Sequence, residues 1–135
     1  MSIHDGIEKR EFFRVPYESE IEIKIFRQNQ LDKLPPGSSK NISACGLLLE
    51  TDVSFPVGKI LVLKLDLPTL SNLIEFDKSV IQSQNHLLGR TVRIEEYIAD
   101  KKFGLGICFL KRYELTDDKN SDIISILNCL ESHIE

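Results

Sequence analysis

Asn41-Ile42-Ser43-Ala44-Cys45-Gly46 runs directly into Leu47-Leu48-Leu49, and this junction of a polar corner with an apolar run decides how the rest of the chain is read. Asn and Ser make local hydrogen bonds that favour turns, and Gly reaches backbone angles closed to other residues. The leucines are therefore entered as a strand through a tight corner. The corner also carries chemistry: an amide that donates and accepts, a hydroxyl two residues on, and a glycine where a flat group can approach the main chain. Such a set suits the edge of a heterocyclic base, although an ordinary turn explains the same residues.

Working outward, Glu20-Ile21-Glu22-Ile23-Lys24-Ile25 alternates with period two, which puts the isoleucines on one buried face of a strand. Between that strand and the corner, residues 28 to 40 are polar and contain Pro35-Pro36-Gly37-Ser38-Ser39, a loop by composition with at most a short strand from Ser38 to Ile42. Downstream, strands are expected at Leu47 to Glu50 and, after the turn Pro56-Val57-Gly58, at Lys59 to Leu67, which Pro68 stops. Asp77 to Gln82 reads as a further strand, Ser83 to Leu88 is ambiguous, and the role of 71–88 stays open. Arg90 to Glu96 alternates again, and Ala99-Asp100-Lys101-Lys102 turns the chain into Phe103 to Leu110. These make about six strands at close intervals, a mainly β fold with the pattern of a small antiparallel barrel that leaves no raw edge. Thr116 with Asp117 and Asp118 then reads as the start of a C-terminal helix over about 117–134. Ile123, Ile124, Leu127, Leu130 and Ile134 fall at helical spacing, as for a helix plugging one mouth of the barrel.

The chain of 135 residues is the size of one domain, and 41% hydrophobic with 28% charged residues describes an ordinary globular protein. A formal charge of −4 argues against DNA or RNA as partner, because polyanion affinity rests on many phosphate contacts from a basic face. A small dianion needs only two or three arginines in one place. Cys45, Cys108 and Cys129 are an odd number without Cys-x-x-Cys, and His4, His86 and His133 have no ligand spacing, so neither a disulfide framework nor a metal site is expected. Cys108 and Cys129 read as buried small hydrophobes. The cysteine usage leads us to expect a reducing cytoplasm; no apolar run approaches the roughly twenty residues of a membrane span, and the N-terminus lacks a signal peptide's pattern, so no membrane insertion is expected.

Residues 1–8 read as a flexible leader, followed by Lys9-Arg10-Glu11-Phe12-Phe13-Arg14-Val15-Pro16. Two arginines four apart, ahead of a helix-ending proline, make an arm able to fold across a neighbouring surface. Arg-x-x-x-Arg followed some thirty residues later by Asn-x-Ser-x-x-Gly resembles the PilZ domain, the bacterial receptor module for cyclic di-GMP. Phe103-Gly104-Leu105-Gly106-Ile107-Cys108-Phe109 looks like that family's closing Gly-x-x-Phe strand, and the C-terminal helix agrees. The likeness covers roughly residues 8 to 133.

The resemblance implies a stand-alone receptor with an arm over 9–16 and a barrel over about 19–110. Arg10 and Arg14 would hold phosphate and the outer edge of guanine, since a guanidinium forks to O6 and N7, stacks on the ring and pairs with phosphate oxygens. Asn41 and Ser43 would hydrogen-bond guanine from the barrel surface, Gly46 would keep the floor open, and Lys9 would help. Many relatives carry Asp where this chain has Asn41, and the neutral amide loses charge assistance. Phe12 and Phe13 read as core or arm anchors rather than base-stacking platforms. The expected partners are cyclic di-GMP and a downstream protein of the motility, pilus, polysaccharide or chemotaxis machinery.

No catalytic constellation, Walker loop or dinucleotide motif is present in the sequence, so neither an enzyme nor a cofactor is expected. Two rival readings remain. One is a ligand-independent adaptor that uses the arm or the helix for protein contacts. The other is a barrel binding single-stranded nucleic acid, which no Trp and only three Tyr make the weakest.

Overall fold

The computed structural model describes residues 14–116 and 121–132. The leader 1–8, Lys9, Arg10, Phe12, Phe13, the expected helix start at 117–120 and Ile134 lie outside these. The strands are β1 (Val15–Pro16), β2 (Glu20–Arg27), β3 (Gln30–Ser43), β4 (Gly46–Thr51), β5 (Ile60–Lys64), β6 (Gln82–Ser83), β7 (His86–Ile98) and β8 (Lys102–Phe109). Helices α1 (Leu67–Leu70) and α2 (Ser121–Ser132) and a 3-10 turn (Arg112–Thr116) complete the described chain. Antiparallel pairing runs β3-β2-β5-β7-β8-β4 and returns from β4 to β3, closing a six-stranded barrel; β1 adds to β3 and β6 to β7.

Alternation along the strands builds two cores. Ile21, Ile23, Ile25, Ile42, Leu47, Leu49, Leu61, Leu63, Leu87, Leu105 and Ile107 fill the barrel interior. The opposite face of part of the wall is also apolar: Phe26, Ile60, Val62 and Leu88 lie under Ile123, Ile126 and Leu130 of α2. This is why β5 is buried on both faces. Each such side chain, taken from water, contributes roughly 1.5–3 kcal/mol. The helix therefore covers the outer wall of the barrel rather than a mouth. Ile126, not Ile124, faces the protein, and Ile124 is 48% exposed.

The expected loop at 28–40 is mostly strand. Gln28 and Asn29 adopt left-handed backbone angles, φ 52° and 62°, and turn β2 tightly into β3. Ile21 opposes Gly37 and Ile23 opposes Leu34, so the two prolines sit at a bulge, where their missing N–H groups break no ladder bond. Gly37 is packed, not loose: a Cβ there would lie 2.9 Å from Ile23 Cδ1. Elsewhere β5 ends at Lys64, because Asp66 caps α1 by accepting from Thr69 N, and Pro68 stands at its first turn. The expected strand at Asp77 to Gln82 reduces to a bridge between Val80 and Lys111 and the two residues of β6. The ambiguous stretch Ser83 to Leu88 resolves into a second tight turn at Gln84-Asn85 and the start of β7. Cys108 points outward and is exposed, against the expectation of a buried thiol.

Candidate functional site

A one-residue bulge decides how the signature faces solvent. Ser39 opposes Leu49 and Asn41 opposes Leu48, leaving Lys40 as the extra residue. Strict alternation would turn Asn41 inward beside Ser39, which is fully buried; the bulge re-aims it to the outer surface. The Ser39 hydroxyl donates to the Tyr17 carbonyl at 2.6 Å and accepts from Ser19 N at 3.0 Å. These bonds fix the segment between β1 and β2. Because β1 pairs Val15 with Ile42 and Pro16 with Asn41, the arm's last arginine is delivered to the signature. Arg14 Nη1 donates to Asn41 Oδ1 at 2.7 Å.

The corner itself is built from Ser43 and Gly46, which oppose one another across the turn. Ser43 is 1% exposed; its hydroxyl donates to the Gly46 carbonyl at 3.3 Å and accepts from Cys45 N at 3.4 Å. Gly46 pairs with Cys108 of β8, and a Cβ on it would stand 2.4 Å from the Ile107 carbonyl oxygen. Only glycine lets β4 and β8 approach so closely here. From outside, the Ala44 carbonyl accepts from Asp77 N at 3.1 Å and the Cys45 carbonyl accepts from Phe109 N at 2.8 Å. The segment 71–88 thus backs the corner. Asp77 in turn accepts from the Ser79 hydroxyl at 2.6 Å and from Ser79 N at 2.8 Å, bonds that hold its carboxyl below the usual carboxylate range, helped by Lys111. Burial pushes the Cys45 thiol above its ordinary value, which disfavours the thiolate.

Of the residues expected in the site, Arg14 and Asn41 meet on the outer surface, Ser43 and Gly46 form the adjoining corner, and Arg10 and Lys9 lie outside the described residues. One neighbour was not foreseen. After a second bulge at Val92, Arg93 opposes Gly106, which itself opposes Leu48. Arg93 therefore stands on the same outer row as Asn41. Period-two reading puts it on the face of Thr91, which is buried, so nothing in the strand's alternation could have found it.

Among the described residues, no group of three or more His, Cys, Asp or Glu could hold a metal ion, and no helix is long and apolar enough to cross a membrane. Comparison with protein families matches the PilZ domain over residues 8–119, most of the chain. No curated protein matches it.

Proposed function

The chain belongs to the PilZ domain family, a family of cyclic di-GMP-binding rather than catalytic domains, and from that premise we propose that it is a bacterial cyclic di-GMP receptor acting in the cytoplasm. The messenger is taken between the arm and the outer barrel surface, and the altered surface is read by a downstream protein. The observation that carries this reading is the 2.7 Å contact between Arg14 and Asn41, which joins the two halves of the pattern in one place. The bond is exposed, so exchanging it for a ligand costs little, and each partner is then available to one part of the messenger.

Arg10 and Arg14 hold phosphate and the guanine edge, with Lys9 in support. Asn41 hydrogen-bonds guanine from β3. Ser43 joins it once its two long bonds within the corner, 3.3 and 3.4 Å, are exchanged, and Gly46 leaves the floor without a side chain. The net charge of −4 is no obstacle, because the ligand meets a local pair of guanidiniums rather than the whole surface. No cofactor takes part.

Calorimetric titration against a panel of cyclic dinucleotides tests the reading. Cyclic di-GMP is expected to bind and cyclic di-AMP not, with Arg10→Ala and Ser43→Ala each abolishing a clear signal. Absence of cyclic di-GMP binding by folded wild-type protein would overturn it in favour of a ligand-independent adaptor, and unchanged binding in both variants would reject the site.

A further inference from the structure

The outer surface beside Asn41 carries a row that crosses four strands. Asn41 on β3 opposes Leu48 on β4, Leu48 opposes Gly106 on β8, and Gly106 opposes Arg93 on β7. Both ends of the row reach the outside through a bulge, at Lys40 and at Val92. Bulges of this kind re-aim single side chains and are frequent beside binding sites. Between the ends, Gly106 offers no side chain, and the Arg93 side chain lies across the place one would occupy: a Cβ on Gly106 would be 3.6 Å from Arg93 Nε and 3.7 Å from one terminal guanidinium nitrogen. The guanidinium thus leans over β8 toward Leu48. That leaves it about two strand spacings, on the order of 10 Å, from Asn41. The row offers the Arg14–Asn41 pair at one end, an apolar Leu48 in the middle and a planar cation at the other.

We propose that Arg93 is a specificity-determining residue of the ligand surface, taking the guanine that Arg14 and Asn41 do not hold. This rests on the preceding reading of the site. Its guanidinium has the planar fork that matches O6 and N7 and the flat face that stacks on a purine, while Leu48 packs under the sugar between the two ends. The present partner of Arg93 is Glu95, Nε to Oε1 3.8 Å, with the two side chains 65% and 57% exposed. An exposed pair of that length holds the arginine only weakly, so it can turn to a ligand.

The test is calorimetric titration of the full chain with cyclic di-GMP, comparing wild type with Arg93→Ala, Arg93→Lys and Arg14→Ala. Arg93→Ala is expected to weaken binding by at least tenfold with an unchanged thermal midpoint, and Arg93→Lys to stay within threefold of Arg93→Ala because lysine keeps the charge but not the fork. Binding of Arg93→Ala within twofold of wild type, while Arg14→Ala loses binding, overturns the role of Arg93 and leaves the receptor reading standing. Wild-type affinity in Arg93→Lys overturns the fork in favour of a point charge. No binding by wild type overturns the site and Arg93 together.

Discussion

Arg14 and Asn41, 27 residues apart in sequence, are joined on the outer barrel surface by a hydrogen bond from Nη1 to Oδ1 of 2.7 Å. The bond exists because β1 zips Val15 and Pro16 onto the end of β3, and because the extra residue Lys40 turns Asn41 outward. An arginine immediately before a short docked strand therefore rests against the amide with which it would share a ligand.

Replacing that amide by a carboxylate should tighten the site. Asn41→Asp gives guanine's donors a charged acceptor, and a charge-assisted hydrogen bond adds about 1 kcal/mol over a neutral one. Calorimetry should show cyclic di-GMP bound about fivefold more tightly than by wild type. Equal or weaker binding would place the amide away from guanine.

A buried hydroxyl helps to hold the docked segment, beside the backbone bonds from Tyr17 N to the Lys40 carbonyl at 3.1 Å and from Ser39 N to the Ser19 carbonyl at 2.9 Å. Ser39→Ala removes the acceptor of Ser19 N and the donor to the Tyr17 carbonyl, leaving polar groups short of partners at a cost of roughly 1–3 kcal/mol. Urea unfolding should report a loss in that range with an unchanged slope. A loss below about 0.5 kcal/mol would mean that the bonds are replaced by water.

Barrel and helix could be read from side-chain period, whereas the site's geometry could not. Glu20 to Ile25 alternates without interruption, so its isoleucines had to face a core, and they do. β3 was hidden because Pro35-Pro36-Gly37 has loop composition. The prolines are absorbed by a bulge opposite β2, and the glycine makes room for Ile23 and Leu49. Asn41 and Arg93 sit on strands where one extra residue reverses the inside-outside pattern, and no local signal marks such an insertion. The corner's chemistry was legible as residue types, but not that Ser43 spends its hydroxyl holding the turn. One residue of the helix face differs from the expectation, Ile126 packing on the wall of Phe26, Ile60, Val62 and Leu88 where Ile124 was expected to.

Stability should fall on mild acidification. Burial, reinforced by the nearby Lys24 and Lys64, lowers the pKa of half-buried His86 from its ordinary value of 6.5, while its bond to the Ser83 carbonyl acts in the opposite sense. The unfolded chain therefore binds a proton before the folded one does. The contribution is complete above pH 6.5 and is lost as pH falls below that value through the folded pKa. Chemical denaturation between pH 7.5 and 5 should show the decline, and His86→Gln should flatten it. An identical slope in the variant would assign the decline to other groups.

Thr91 is buried, and its Oγ1 has no hydrogen-bond partner among the described residues. Thr91→Val keeps the shape and removes the unpaired hydroxyl, so stability should be unchanged or higher by about 1 kcal/mol. Differential scanning calorimetry would register this as a midpoint raised by a few degrees or level with wild type. A clear drop would reveal a partner for the hydroxyl.

The most direct test of the account is a double-mutant cycle on Arg14 and Asn41, read by calorimetric titration with cyclic di-GMP. Wild type should bind, Arg14→Ala and Asn41→Ala should each lose at least tenfold, and the double variant should lose less than the sum by more than about 0.5 kcal/mol, since both groups hold one ligand. Binding that survives in both single variants, or no heat from folded wild-type protein, would contradict it.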